Sequence, residues 1–305
     1  SGSTGKPKPI EVEKTRMAES ARITCNFLGL HPGHTALLCL PLDYIAGKMM
    51  VVRSLVCGLQ LIEVPPTGHP LAALVHRNVQ IDFAAMVPMQ VYNSLQVAEE
   101  RQLLMSIRHL IIGGGAIDEH MEQELRSFPH AVWSTYGMTE TLSHVALRRL
   151  SGGESSLWYT PFESVNVCLN SEGCLVIDAP RVCASVLTTN DMAEMADNGR
   201  QFRILGRKDN VIDSGGIKIQ AEEVERLLRE HLDVPLMITK RKHEKFGEAV
   251  VLLVQCADTK RAWEVCREVL PKYQQPRFVK CVTALPLTRT GKLNRAEAER
   301  MGMRE

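Results

Sequence analysis

Short apolar runs alternate with segments of helical length over the first half of the chain, and this alternation constrains the fold more than any other feature. Residues 36–42, 61–64 and 109–112 have the length and the aliphatic composition of buried strands. The pattern predicts a layered α/β sheet whose ligands lie beyond the carboxyl ends of the strands. The helices expected beside these strands are residues 13–30, 46–59, 71–78, 82–95 and 117–128, and the first of them should end near Gly29.

Two polar segments that contain glycine come directly after predicted strands. They are Gly-Gly-Gly at 113–115 and Tyr-Gly-Met-Thr-Glu at 136–140. The ring of Tyr136 suits a base, and the oxygens of Thr139 and Glu140 suit phosphate and a metal ion. The glycine run lacks the G-x-G-x-x-G spacing of a dinucleotide site. The two segments therefore predict a nucleotide and a metal ion at this edge of the sheet.

The character of the sequence changes after residue 143. Short β segments at 165–168, 173–178 and 186–189 predict an antiparallel, barrel-like subdomain. Gly-Arg-Lys-Asp at 206–209 is typical of a joint, and the strands and helices after it indicate a smaller α+β domain. The expected division is an N-terminal domain at 1–208 and a C-terminal domain at 209–305.

Composition excludes several classes of protein. The net charge of +1 gives no electrostatic basis for binding nucleic acid or an anionic membrane surface. No apolar run approaches the ~18 residues that a membrane helix needs. The 9 cysteines contain no C-x-x-C pair, which favours reduced thiols in the cytoplasm over a disulfide framework or a zinc site. Because the chain begins inside a Ser/Gly/Thr loop, we expect an N-terminal piece to precede Ser1.

Four separated segments resemble the motifs of the acyl-adenylate-forming superfamily, which includes acyl-CoA synthetases, adenylation domains and luciferases. They occur in the family's order and span nearly the whole chain. The resemblance implies an α/β large domain of layered sheets plus a small antiparallel β subdomain, with a hinged, smaller α+β C-terminal domain. The segments are residues 1–8 (S-G-x-T-G-x-P-K), 136–140 (Y-G-x-T-E), 206–209 with Gly215, Gly216, Glu222 and Glu223 (G-R-x-D, then G-G and E-E), and 286–295 (P-x-T-x-x-G-K-x-x-R).

The resemblance implies a set of residues that bind ATP. The first of the four segments, residues 1–8, is rich in hydroxyl groups and lysines, which suits the binding of a polyphosphate. It is not a Walker loop, because Pro7 follows Lys6. The implied residues are Ser1, Ser3, Thr4, Gly5 and Lys8 at the departing phosphates; Tyr136 against adenine, with Gly114, Gly115 and Ala116 on its other side; Thr139 at the α-phosphate; Asp191 and Arg207 at the ribose; and Ser134, Gly137 and Met138 beside them.

The resemblance also implies two half-reactions in one site. Lys292 would bridge carboxylate and α-phosphate oxygens during adenylation, acting with Thr139 and a Mg²⁺ ion held by Glu140. Rotation of the C-terminal domain at the hinge residue Asp209 would then withdraw Lys292. Gly215 and Gly216 would line the tunnel through which CoA reaches the adenylate.

Within the superfamily, the chain resembles the o-succinylbenzoate–CoA ligases of menaquinone biosynthesis. The shared features are Leu-Pro-Leu at 40–42, Ile-Ala-Gly at 45–47, Arg53 and residues 214–219. The substrate implied is a dicarboxylate, and a buried arginine could hold its second carboxylate with two parallel hydrogen bonds. Arg53 could instead extend its charge to solvent. The other residues expected near the acid are Tyr44, Ile45 and His144, with Lys48 and His144 as rival partners for the carboxylate.

Three readings of function follow, and they differ in the chemistry after ATP binding. The first is an acid–CoA ligase that uses ATP, Mg²⁺ and CoA, with o-succinylbenzoate as the best candidate acid. The second is another aryl- or acyl-CoA ligase, or an adenylation enzyme that loads a carrier-protein thiol. The third is a non-catalytic nucleotide-binding protein. The replacement of an aromatic-His pair by Asp43-Tyr44 bears on the acid, and the alternative of a homodimer stays open.

Overall fold

The computed structural model describes residues 10–77, 79–115, 117–287 and 293–303. These residues form two compact units. Among the described helices, none is both long enough and apolar enough to cross a membrane. The first unit contains the chain up to Cys168 with Val176–Leu187 and Met195–Arg203, and the second contains Leu169–Leu175, Thr188–Glu194 and the chain from Ile204 onward.

A seven-stranded sheet forms the centre of the first unit. Its strand order is β2-β1-β3-β4-β5-β6-β7; β1 to β5 pair in parallel, whereas β6 runs antiparallel to β5 and to β7. The interior strands are aliphatic and buried on both faces, as a parallel sheet requires. The strands are β1 (Thr35–Leu38), β2 (Gln60–Glu63), β3 (Phe83–Met86), β4 (His109–Ile112), β5 (Ala131–Gly137), β6 (His144–Arg149) and β7 (Thr160–Pro161).

Five α-helices accompany this sheet among the described residues. The first ends as its sequence predicts, because Gly29 adopts the left-handed conformation (φ 63°) and its N–H bonds to the Asn26 carbonyl. The helices are α1 (Lys14–Leu28), α2 (Ile45–Cys57), α3 (Pro88–Leu95), α4 (Ala98–Ser106) and α5 (Glu119–Arg126).

The sequence-based prediction is wrong in several stretches of the first unit. The predicted helix at 82–95 is a buried strand, β3, followed by the separate helix α3, which has Pro88 at its first turn. Pairing with β1 and β4 on both sides decides the conformation of β3 and overrides its helix-forming alanines. Residues 71–77 form turns rather than the predicted helix, and α4 was not predicted.

A second sheet of four strands follows in the chain, where short β segments predict an antiparallel subdomain. Its order is β11-β10-β9-β8, so that sequential strands are neighbours. Its strands are β8 (Asn166–Leu169), β9 (Cys174–Asp178), β10 (Leu187–Met195) and β11 (Phe202–Arg207).

Among the described residues, a five-stranded sheet and three helices complete the second unit. The order is β13-β12-β15-β14, and β16 pairs in parallel with β15. Aliphatic side chains of α6, α7, β14 and β15 form its main core. These elements are β12 (Val211–Ser214), β13 (Ile217–Gln220), α6 (Ala221–Arg229), β14 (Leu236–His243), β15 (Gly247–Val254), α7 (Lys260–Val269), β16 (Phe278–Cys281) and α8 (Arg295–Met303).

A buried ion pair ties α8 to α6 and β14 in this unit. The side chain of Glu225 is 2% exposed, and its carboxylate bonds to both Nη atoms of Arg295, one at 2.9 Å. The same carboxylate accepts the backbone N–H of Ile238 at 2.8 Å, and Arg295 donates to the Ile238 carbonyl at 2.8 Å. The last residue of the 286–295 motif therefore has a structural role.

We expect Arg295→Met to lower the free energy of unfolding of the second unit by about 2–3 kcal/mol, because the buried Glu225 carboxylate would keep only the partly exposed Arg229, at 3.2 Å, as a described ion-pair partner. Urea unfolding measures the change. Arg300→Met is the matched control, since its pair with Glu297 is exposed and should cost about 1 kcal/mol or less. Equal losses in the two variants would contradict this account of the pair.

Candidate active site

The two polar segments found in the sequence lie side by side at the carboxyl edge of the first sheet. They follow β4 and β5, which are parallel neighbours with Ile112 opposite Ser134. The glycine loop passes so close to β5 that a Cβ on Gly113 would lie 2.3 Å from Thr135 Oγ1, and only glycine fits there. Gly114 adopts φ 83°, and Gly115 lies beside Pro88. This edge is where a parallel α/β sheet binds ligands.

Tyr136 belongs to an aromatic cluster at the end of β5. Its ring meets the Phe202 ring edge-on, with centroids 5.1 Å apart, and lies 5.9 Å from the Tyr159 ring. Beneath this cluster, Ser134 is buried and its hydroxyl is 2.8 Å from that of Tyr159. The half-buried Tyr136 ring is thus fixed in orientation, as a surface for a base requires, and Ser134 supports its neighbour.

The backbone that carries the second segment is a tight turn, residues 136–143, which we call the motif turn. A Cβ on Gly137 would lie 2.2 Å from the Ser143 carbonyl oxygen, so the two sides of the turn approach as only glycine allows. Leu142 adopts φ 65°, an unusual conformation for a branched residue. The buried Thr141 hydroxyl accepts the Met138 N–H at 3.0 Å and lies 2.7 Å from the Ser143 carbonyl. Thr141 was not predicted, yet it fixes this turn.

Thr139 and Glu140 occupy a short 3₁₀ turn at the apex of the motif turn. Both are half-buried, and among the residues that the structure describes neither side chain has a hydrogen-bond partner. A carboxylate in this setting suits Mg²⁺, which prefers oxygen ligands and keeps several waters. Within the described residues no cluster of three or more His, Cys, Asp or Glu side chains could form a metal cage, so Glu140 would share an ion with phosphates and water.

Arg53 is the largest fully buried side chain of the first unit, with 1% of its surface exposed. It lies on the inner face of α2, where its guanidinium is 6.0 Å from the centroid of the Phe83 ring. Nη2 donates to Ser143 Oγ at 2.8 Å, whereas Nε has no hydrogen-bond partner among the described residues. No described carboxylate lies within ion-pairing distance of the guanidinium. Burial accordingly lowers the pKa of Arg53 to about 10.

A directed chain of hydrogen bonds connects Arg53 to helix α1. Thr24 donates its single hydroxyl hydrogen to the Ser20 carbonyl at 3.0 Å, so it must accept from His144 Nε2, 3.1 Å away. A neutral His144 with a proton on Nε2 then accepts at Nδ1 from Ser143 Oγ, also at 3.1 Å. Ser143 in turn accepts from Arg53. Each hydrogen bond in this series therefore has one donor and one acceptor, with no conflict between neighbouring bonds.

His144 stays neutral in this arrangement. The imidazole is buried, and burial first and the Arg53 charge second hold its pKa well below the ordinary 6.5. A second proton on Nδ1 would point at Ser143 and oppose the hydrogen that Ser143 donates. His144 is consequently a positioning group for Ser143 and Arg53 in this geometry, and it is not a cation that could replace Arg53.

We expect the stability of the first unit to fall as the pH drops from 6.5 to about 5, because the unfolded chain protonates His144 and the folded one does not. The contribution of this residue has a slope of up to about 1.4 kcal/mol per pH unit. In His144→Gln the free energy of unfolding should depend less on pH over that window. Urea titrations measure the slope, with His120→Gln, at an 80% exposed side chain, as control. An unchanged slope in His144→Gln would refute the neutral buried imidazole.

The other predicted acid-site residues lie at the start of α2. Tyr44 is exposed at the N-cap position of the helix, Ile45 is half-buried, and Lys48 is exposed on the outer face. Asp43, which would repel an acidic substrate near the guanidinium, is also exposed. Lys48 is therefore not a buried counterpart of Arg53.

In the second unit, the predicted ribose residues form one charged cluster. Arg207 bonds to Asp191 at 3.3 Å through Nη1 and to Asp209 at 2.7 Å through Nη2. Partial burial disfavours the charge of Arg207, but Asp209, Asp191 and Glu222 hold its pKa above the ordinary value. Asn190 places its amide 3.4 Å from both carboxylate oxygens of Asp209. The predicted hinge residue and ribose carboxylate thus share one arginine.

Gly215 and Gly216 form the two-residue turn between β12 and β13. Their φ values are 65° and 82°, which a hairpin turn of this kind requires at both positions. The Gly215 N–H donates to the Phe246 carbonyl at 2.8 Å, and the Gly216 N–H to Asp213 at 3.1 Å. Turn geometry alone accounts for both glycines, and a role in passing CoA stays a prediction.

Several predicted site residues lie outside the described part of the chain. Their roles rest on the sequence motifs alone. They are Ser1, Ser3, Thr4, Gly5, Lys8, Ala116 and Lys292.

Comparison with known proteins assigns the chain to a family. Residues 1–173 match the model of the AMP-binding enzyme family, and the chain belongs to that family. It is 30% identical to the 2-succinylbenzoate–CoA ligase of Haemophilus influenzae over 83% of its own length and 58% of that protein. It is 24% identical to the corresponding ligase of Bacillus cytotoxicus over 99% of its length and 69% of that protein. The chain thus spans less than the full length of both relatives.

Solved structures show the same fold. An acyl-CoA synthetase (AMP-forming)/AMP-acid ligase II-like protein from Dyadobacter fermentans is 33% identical, with a TM-score of 0.66 over 97% of this chain and 86% of that one. The Bacillus subtilis o-succinylbenzoate CoA synthetase, solved with its acyl-adenylate intermediate, is 22% identical, with a TM-score of 0.81 over 98% of this chain and 67% of that one. The predicted superfamily and fold class are confirmed; the hinge is not tested by these likenesses.

Proposed function

We propose that the protein is a cytoplasmic acid–CoA ligase that activates o-succinylbenzoate as an acyl-adenylate and transfers the acyl group to CoA. Membership of the AMP-binding enzyme family supports the adenylation step. The name that both sequence relatives share supports the choice of acid. The observation that carries the proposal is the buried Arg53 guanidinium without a described carboxylate partner.

The burial of Arg53 favours a substrate with two carboxylates. An ionised group removed from water is costly unless an opposite charge and hydrogen bonds compensate it. The chain as described offers the guanidinium one hydroxyl, Ser143, and a weak sulfur contact to Met50 at 3.8 Å. A planar carboxylate matches the two-pronged guanidinium. One carboxylate of the acid would therefore bind Arg53 while the other is activated.

The motif turn would place the reacting carboxylate beside the nucleotide. In the proposed complex, Tyr136 stacks on adenine, Thr139 binds the α-phosphate and Glu140 holds the metal ion. Magnesium, when bound, neutralises charge on phosphate oxygens. Ser143 belongs to the same turn, so the group that orients Arg53 is fixed relative to Thr139 and Glu140. This arrangement would set the distance between the two ends of the acid.

The second unit would contribute groups that hold the ribose and a lysine that serves only the first half-reaction. We propose that Asp191 accepts the ribose hydroxyls and that Arg207 holds it in place. Lys292 would stabilise charge that develops during adenylation and leave before CoA enters. Asp209 would be the hinge, and the domain boundary would fall at 208/209. Excluding water in both half-reactions protects a reactive adenylate.

We expect Arg53→Met to lower kcat/KM for o-succinylbenzoate by about 30- to 4,000-fold, because a desolvated ion pair contributes about 2–5 kcal/mol. The KM for ATP should change little. Pyrophosphate release measures both parameters. An analogue methylated at the second carboxylate should react at similar rates with Arg53→Met and the unmodified protein, since neither can form the ion pair with it.

The matched control for this variant is Lys48→Met, on the exposed face of the same helix, which should leave kcat/KM unchanged. If kcat/KM fell by the same factor for the dicarboxylate and for the methylated analogue, Arg53 would stabilise the fold and would not bind the second carboxylate of the acid. Pyrophosphate release with simple aryl or aliphatic acids but not with o-succinylbenzoate would refute the choice of substrate. No release with any acid would favour a non-catalytic nucleotide-binding protein.

We expect Lys292→Ala to slow adenylation by about 100-fold or more, as removal of one transition-state donor does in other enzymes. Thioester formation from the preformed adenylate and CoA should stay within a few-fold of the unmodified rate. Separate assays of the two half-reactions measure the effects, with Lys272→Ala, an exposed lysine of the same unit, as control. Equal loss of both steps would rule out the proposed two-state cycle.

A further inference from the structure

Two cysteine side chains of the second unit face each other at the ends of adjacent strands. The Sγ atoms of Cys256 and Cys281 are 3.1 Å apart. Cys281 is the last residue of β16, and Cys256 lies just beyond the end of β15. No part of the proposed ligase chemistry uses either thiol.

The backbone holds the two cysteines at this distance. In the parallel register of β15 and β16, Val254 is opposite Cys281. The Val254 carbonyl accepts the N–H of Cys256 at 3.1 Å and the N–H of Val282, next to Cys281, at 2.9 Å. One acceptor thus fixes the chain on both sides. The approach of the sulfurs follows from the pairing of β15 with β16 and from the hydrogen bond that holds Cys256 to Val254.

Both thiols are open to small molecules in solution, and they differ in exposure. Cys281 is exposed and Cys256 is half-buried, whereas Cys39 and Cys266 are fully buried. Burial, followed by the contact with Cys281, raises the pKa of Cys256 to about 11. Cys281 is therefore the thiol that meets a reagent from solution first, and Cys256 is positioned to react second.

We propose that Cys256 and Cys281 form a reversible thiol–disulfide site that exchanges with small-molecule disulfides such as oxidised glutathione. In the first step, the Cys281 thiol loses its proton and its sulfur attacks one sulfur of the reagent, which releases one glutathione thiolate. In the second step, Cys256 loses its proton and attacks the Cys281 sulfur, which forms the internal bond and releases the second glutathione thiolate. Two protein thiols are oxidised, and one small disulfide is reduced to two thiols that take up the two protons.

The geometry favours the second step over a stable mixed disulfide. Closing the bond needs the sulfurs to approach from 3.1 Å to about 2.05 Å. An intramolecular thiol at this distance competes effectively with glutathione from solution. The product would link the ends of β15 and β16, which are already hydrogen-bonded neighbours, and so requires no rearrangement of the sheet.

The test uses the full chain in glutathione buffers of defined ratio, followed by acid quenching, alkylation and peptide mapping by mass spectrometry. The expected result in the unmodified protein is a peptide cross-linked through Cys256 and Cys281, which dithiothreitol reverses. In Cys256→Ser, Cys281 should instead accumulate bound glutathione. Cys168→Ser, which removes another exposed cysteine, should form the cross-link to the same extent as the unmodified protein.

Two results would overturn the proposal. One is equal accumulation of glutathione on Cys281 in the unmodified protein and in Cys256→Ser, because Cys256 then does not resolve the mixed disulfide. The other is the recovery of both cysteines as alkylated thiols in buffers that modify Cys168. The peptide map of the unmodified protein decides between these outcomes even if Cys256→Ser folds poorly, and none of them depends on the acid that the enzyme uses.

Discussion

The first unit contains a buried cation, Arg53, that has no described counter-ion, and the residues around it must stabilise this charge. The guanidinium of Arg53 loses its hydration on the inner face of α2 and receives one hydroxyl, that of Ser143, in return. Such a group is stable only if its surroundings are held firmly and no other positive charge lies near it. The neutral, Nε2-protonated His144 meets both conditions, and Thr24 of α1 anchors it. Two helices and the motif turn are therefore tied to the position of one side chain.

The parallel order of the sheet explains why a nucleotide site can form next to this cation. Strands β4 and β5 are neighbours that run in the same direction, so the glycine loop and the motif turn leave the sheet at the same edge. A Cβ would clash with Thr135 at Gly113 and with Ser143 at Gly137, so the backbone of each loop packs closely against its neighbour. The backbone is held in place where a ligand would meet it. The side-chain oxygens of Thr139 and Glu140 could then bind a phosphate and a metal ion.

Sequence predicts the features that depend on local order and misses those that depend on distant contacts. Gly29 as a helix end, the strands before both polar segments, the small antiparallel sheet and the superfamily are all correctly predicted. The strand Phe83–Met86 was predicted as helix, because its neighbours β1 and β4 decide its conformation. The sequence indicated Arg53 but left its burial open, and it gave no sign of Ser143 as a partner, 90 residues away. A serine after a Y-G-x-T-E motif carries no signal until the tertiary fold places it beside an arginine.

The shortness of the motif turn has a consequence for how such an enzyme can change. Tyr136, Thr139 and Glu140 stand on the same eight-residue stretch as Ser143, the group that orients Arg53. An insertion or deletion in this stretch would displace the proposed nucleotide contacts and the proposed acid contact together. If the proposed acid contact is correct, variation in acid preference would be confined to substitutions that keep the length of the turn, or to residues on α2. A search for altered specificity should therefore hold residues 136–143 constant and vary the helix.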